Sequence, residues 1–324
     1  YAQALVSGID LSITAALIMI FCFIANLFGI KTAARFQSFM VLVLLLSLGL
    51  YIAFGMHHIS DFTHYTSLPL IMPNGFDGFF AAAFLLRLSL VGSEFISEFG
   101  HEMKNPGQMI PLVMGLSLCI VVVVYILIAV VATGVLPIEE IAGENLAATA
   151  KSLFPPEIYI AFIGGGIMIS LVTSLNAIFG WCTRGLYMAT EDGWLPARFA
   201  VVNRYGIPYV FLTVFFLVGI TPIVTGMSLS YVAILGNAVG AIFGLFPVFA
   251  LFYLADKNPS AYRDAPFKLP LWATKLFPIL AVIIYGYGIY SSWGFVGHTG
   301  WLLLGVYSAL VLFYIHIRSP FVAA

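Results

Sequence analysis

Apolar runs of about 20 residues, each long enough to cross the hydrocarbon core of a bilayer as a helix, recur along this chain. Nine can be drawn, at about 9 to 29, 34 to 55, 77 to 100, 109 to 135, 157 to 188, 208 to 225, 229 to 254, 272 to 294 and 300 to 318. A soluble core of 324 residues cannot absorb them, because only 8% of the residues are charged while 62% are hydrophobic and the mean hydropathy is +1.06. Apolar and polar residues do not alternate with period two, which excludes a membrane β-barrel. The expected fold is therefore all-α and polytopic, with residues 1–324 forming a single transmembrane domain.

The 13 Lys and Arg sort sharply once these spans are threaded back and forth across the bilayer. Lys31, Arg35, Lys104, Arg184, Arg198, Arg204, Lys257, Arg263, Lys268, Lys275 and Arg318 fall on one side, Lys151 falls on the other, and Arg87 lies within the membrane. Positive residues mark the cytoplasmic side, so the C-terminus is expected inside. The loops after the second, fourth and eighth spans are then external and carry His57, His58, Asp61 and His64 in the first, and Glu139, Glu140 and Glu144 in the second. Tyr1 would lie outside, with no initiator Met and no cleavable signal pattern. An odd helix count starting outside is hard to insert, so further helices are expected to precede Tyr1.

The third span, from Asp77 to Pro111, is the most unusual, because FFAAAFLLRLSLVGSEFISEF carries Arg87, Glu94 and Glu98 around a Gly92-Ser93 pair. Ionisable groups at membrane depth cost about 2.5 to 3.5 kcal/mol each on insertion scales and mark functional sites by default. A Gly-Ser pair there invites a helix break, which persists only where protein or a watery cavity satisfies the freed backbone. Two readings of the charges stand side by side. Arg87 and Glu94, seven residues apart, would form an ion pair on one helix face, or Glu94 would titrate beside a watery pocket. Glu98, His101, Glu102 and Lys104 read as a solvated cluster near the cytoplasmic end.

In the fifth span, Ser170, Thr173 and Ser174 fall along one stripe by helical spacing, followed by Asn176. Their hydroxyls either hydrogen-bond to a neighbouring helix or offer hard oxygens to a small alkali cation. Gly164 to Gly166 allow close packing or local unwinding, and Gly236, Gly240 and Gly244 at four-residue spacing read as a close-packing face. Cys22, Cys119 and Cys182 lie in apolar runs without CxxC spacing and read as small hydrophobes rather than metal or disulfide sites. No catalytic constellation of the HExxH, GxSxG, GxxxxGK[ST] or GxGxxG kind is present, so the chain is not read as an enzyme.

Four segments taken in order, NLFGIKTAARFQ, GSEFISEFGHEMKNPGQMIP, SLNAIFGWCTRGLYMATEDGWLP and YRDAPFKLPLW, resemble the amino acid-polyamine-organocation superfamily of permeases. That resemblance implies a twelve-helix fold built on two inverted five-helix repeats, of which this chain looks like helices four to twelve. It implies a substrate site at Leu88, Ser89, Val91, Gly92 and Ser93, where freed carbonyls accept a substrate amino group and side chains near Leu88 line or gate the pocket. Leucine at position 88 departs from the bulky aromatic of several members. Glu94 matches an acidic position of proton-sensitive exchangers, and Ser170, Thr173 and Ser174 match the stripe that holds sodium in sodium-coupled relatives. A lysine that replaces the ion in some proton-coupled members is absent, because the matching position is Leu44. Arg87 departs from a usually apolar position and would select an acidic substrate group or pair with Asp77 or Glu94.

The function expected is a secondary transporter, permease or exchanger, moving amino acids or related amines across the cell membrane by alternating access. The alternative is a non-transporting solute sensor or partner subunit of the same fold. The partners implied are a small-molecule substrate and the lipid bilayer, with no nucleic acid; no organic cofactor and no metal centre are expected beyond coupling to Na+ or H+, and no oligomeric state follows.

Overall fold

The computed structural model describes residues 1, 5, 8–28, 30–59, 62, 65, 72 and 74–322, with the side chains of 30–34, 85, 88, 101–102, 291–295, 299 and 321 outside the description. All regular structure among the described residues is helical. Among the described residues, six helical segments are long and apolar enough to cross a membrane. We number these α2 (Arg35–His58, within a helix that starts at Ile30), α4 (Pro106–Val135), α5 (Pro156–Glu191), α7 (Leu229–Lys257), α8 (Leu271–Tyr290) and α9 (Val296–Pro320). Three shorter apolar helices complete the series: α1 (Leu11–Leu27), α3 (Gly75–Leu90) and α6 (Tyr209–Thr225).

Local chemistry explains the ends. Asp10 caps α1, its Oδ1 accepting from the backbone N–H groups of Ser12 and Ile13 at 2.9 and 3.0 Å. Ser228 caps α7 through the Tyr231 N–H. Gly226, at φ +68°, closes α6 in the left-handed conformation that a glycine adopts without steric cost. Between α8 and α9, where the sequence suggests an external loop, the chain stays helical from Leu271 to Val322 and only kinks at Gly297 (φ 69°, ψ 166°). Apolar side chains on the helix flanks stay exposed, Leu46 at 62% and Leu303 at 64%, as surfaces facing lipid can and surfaces facing water rarely do.

The chain forms two compact units: residues 1–71 with 119–226, and residues 72–118 with 227–324. In the first, Tyr51 stacks on Phe162 (ring centroids 5.4 Å apart, 14° between planes) within a core that includes Val131, Ala150, Phe154 and Ile163. Gly55 lets Val131 approach so closely that an added Cβ would fall 2.0 Å from its Cγ1. The short amphipathic helix Leu146–Leu153, in the connection between α4 and α5, turns Ala147, Ala150 and Leu153 into this core. A second cluster joins α1, α5 and α6 through Met19, Cys22, Phe179 and Leu212. In the second unit, α3 packs on α7 and α8.

Candidate functional site

Helix α3 stops at Leu90, inside the apolar stretch that would otherwise continue across a bilayer. Val91 is extended (φ −69°, ψ 140°), Gly92 takes φ 138° and ψ −35°, and a 3-10 helix follows from Ser93 to Glu102. The break therefore falls at the Gly-Ser pair, and glycine is required by conformation rather than space, since a Cβ there would meet nothing within 4 Å. A helix end leaves its last four carbonyls without intrahelical donors, here those of Arg87, Leu88, Ser89 and Leu90. Ser89, Val91 and Gly92 are exposed and Ser93 is half-buried; the side chain of Leu88 lies outside the described residues. The break thus presents acceptor oxygens and the negative end of a helix dipole, an arrangement suited to an ammonium group.

Glu94 is exposed and folds back on the break, its Oε2 accepting the Gly92 N–H at 2.8 Å. Its own carbonyl accepts the Ser97 hydroxyl at 2.7 Å. Arg87 is paired neither with it nor with Asp77. Its Nη2 donates to the backbone oxygen and Oδ1 of Asn237 on α7 at 3.3 and 3.4 Å, and its guanidinium lies over the rings of Tyr285 (5.1 Å) and Phe84 (5.6 Å). Sequence spacing suggested a partner two turns away on the same helix. The helix break removes that geometry, because Glu94 no longer continues the face that carries Arg87.

The fifth span is not a uniform α-helix. Phe162–Met168 forms a π-helical segment over the three consecutive glycines, and Gly166 also admits α2, with Ser47 Cβ 2.7 Å from where a Cβ would stand. Both close packing and local unwinding are thus present. Immediately beyond, Ser170 donates to Ile167 O at 2.6 Å and Thr173 to Ser170 O at 2.7 Å, which leaves oxygen lone pairs on both. The stripe is divided by environment: Thr173 is buried, Ser170 half-buried and Ser174 exposed. Beside it, Asn26 Nδ2 donates to Asn176 Oδ1 (2.8 Å), Asn176 Nδ2 to Gln37 Oε1 (3.0 Å), and Gln37 Nε2 to Thr173 O (3.3 Å). This amide chain links α1, α5 and α2 through the buried side chains of Asn26 and Asn176. Each side-chain amide thereby finds partners where water is scarce.

A family profile described as amino acid permease matches residues 5–317. The chain belongs to this amino acid permease family. It is 27% identical over 299 residues to the branched-chain amino acid permease BcaP of Bacillus subtilis, covering 90% of this chain and 61% of that protein. It is 23% identical over 296 residues to a methylthioribose transporter of the same organism, with 90% and 61% coverage. It is also 32% identical over 199 residues to an uncharacterized protein of Methanocaldococcus jannaschii, with 61% and 45% coverage. The chain thus spans about half to three fifths of the length of these curated relatives. Permease relatives point to a transporter rather than an enzyme, and the apolar helices make the chain an integral membrane protein.

Within this permease chain, sequence reasoning missed Asn26, Gln37, Asn237 and Tyr285. Amides at membrane depth are a signal that could have singled out Asn26 and Asn237. Nothing in the sequence singles out Tyr285, one tyrosine among 16. Asp61 and His64, in the connection after α2, lie outside the described residues, while His57 and His58 are exposed at the end of α2.

Proposed function

We propose that the protein carrying this chain is a secondary transporter of amino acids or closely related amines, working by alternating access. The observation that carries this reading is the break in α3, which presents terminal carbonyls beside an exposed Gly92 and a half-buried Ser93 within an apolar stretch. Leu88, Ser89, Val91, Gly92 and Ser93 would form this half of the substrate site, with the carbonyls receiving the amino group. The names of the two Bacillus relatives favour a small, partly apolar solute, which a leucine at position 88 in place of an aromatic ring also suits. Coupling would come from an ion with different affinity for the two access states, through Glu94 for protons or through Ser170, Thr173 and Ser174 for sodium. The fold would lie in the cell membrane with its Lys- and Arg-rich loops and C-terminus in the cytoplasm.

The test is uptake by the full-length protein in liposomes, offered labelled amino acids, amines and a thiosugar while sodium and pH gradients are varied separately. Saturable uptake of at least one amino acid or amine is expected. Ligand binding without flux would instead establish a solute sensor, and uptake of sugars alone would overturn the amine-binding role of the break.

A further inference from the structure

Arg87 is the charged group that neither the substrate site nor the coupling residues absorb. A guanidinium is a permanent cation, and among the described residues no carboxylate is paired with it. Its partners are neutral: the Asn237 carbonyl and amide, and the faces of Tyr285 and Phe84. Cations held over aromatic faces in a desolvated site are stabilised without a counter-ion. The Nε is buried and has no acceptor, so the guanidinium faces protein on that edge rather than an opening that an anion could enter.

The surroundings are shaped to receive it. A Cβ on Gly240 would stand 3.1 Å from Nη2, and one on Gly244 would stand 3.1 Å from the Tyr285 ring. Phe84, one turn before Arg87, is buried against Gly288, where a Cβ would fall 1.7 Å from a ring carbon. Two α3 side chains thus plug a socket made by Asn237, Gly240 and Gly244 of α7 and by Tyr285 and Gly288 of α8.

We propose that Arg87 is a positioning residue that locks α3 onto α7 and α8, so that the helix ending at the Val91–Gly92 break travels with them as one body during the transport cycle. This rests on the reading of the break as part of the substrate site. The lock does not itself select an anionic substrate. Pulling the cation from the socket would expose it to lipid without a counter-charge, so the contact persists in both access states, and what moves against α3 must be something other than α7 and α8.

The test uses full-length protein without native cysteines, bearing Phe84→Cys with Gly288→Cys. The disulfide is expected to form with or without substrate, and transport is expected to survive it. In Arg87→Met, the maximal rate should fall on the order of ten- to a hundredfold, the scale of misplacing a positioned group by about an ångström, with KM little changed. The disulfide should restore the rate. A disulfide that abolishes transport would overturn the lock, as would a rise in KM confined to acidic substrates. If Arg87→Met does not fold, the disulfide in the Arg87 protein still decides. If no substrate is moved at all, the transport reading fails, and disulfide formation that depends on added ligand separately refutes the lock.

Discussion

Glu94 does two things at once at residue scale: its carboxylate ties down the Gly92 N–H, and it places a negative charge at the start of the 3-10 segment, where that charge is favoured. Loss of this hydrogen bond would free the Gly92 N–H, which links the proposed coupling role of Glu94 to the geometry of the break. Glu94→Gln keeps an acceptor oxygen and removes the titration. If Glu94 takes part in proton coupling, the pH profile of transport should change in the variant, read from initial uptake rates across pH at equal expression. An unchanged profile would remove Glu94 from proton coupling. The same residue shows what helical spacing can and cannot reveal. Arg87 and Glu94 are seven apart and would share a face on a continuous helix, yet the break falls between them and each finds a different partner.

At the scale of elements, the break, the π-helical segment and the kink at Gly297 are departures from regular helix among the described residues, and each sits on glycine. Gly92→Ala would force φ 138° on a residue with a Cβ, at a cost of about 1 to 3 kcal/mol. Because the space around it is open, that cost should appear as a shifted break rather than a steric clash. We expect uptake to fall at least about tenfold while thermal stability changes by only a few degrees, measured on purified full-length protein. For α5, Thr173→Ala with Ser174→Ala should abolish sodium stimulation if the stripe holds the cation, with flux assayed in sodium and in choline. Sodium-independent uptake by the unaltered protein would dispose of the site. The divided burial of the stripe implies that Thr173 carries more of the effect than Ser174. The spans were legible in the sequence because their length and apolarity follow from bilayer thickness, and the α3 break was legible because Gly-Ser is a weak place in any helix. The π-helical segment was legible only as a choice between packing and unwinding, since three glycines permit both.

At the scale of the whole molecule, the charge asymmetry makes a prediction that needs no site at all. Single cysteines replacing His57 or Glu139 should react with a membrane-impermeant thiol reagent added outside intact cells, and cysteines replacing Arg204 or Lys257 should react only after permeabilisation. The reverse pattern would invert the orientation. Long-range partnerships were the part of the molecule hidden from the sequence. Asn26 meets Asn176 and Arg87 meets Asn237, in each case across 150 residues, and although an amide within an apolar span is conspicuous, nothing local names its partner. That separation also bears on how the chain is made. Synthesis runs at about 5 to 20 residues per second, so Arg87 is committed to the membrane roughly 8 to 30 s before Asn237 exists to receive it. For that interval, and longer still until Tyr285 follows, the Phe84 ring of its own helix is the one member of the socket present beside the cation, so the lock on α3 can close only late in synthesis.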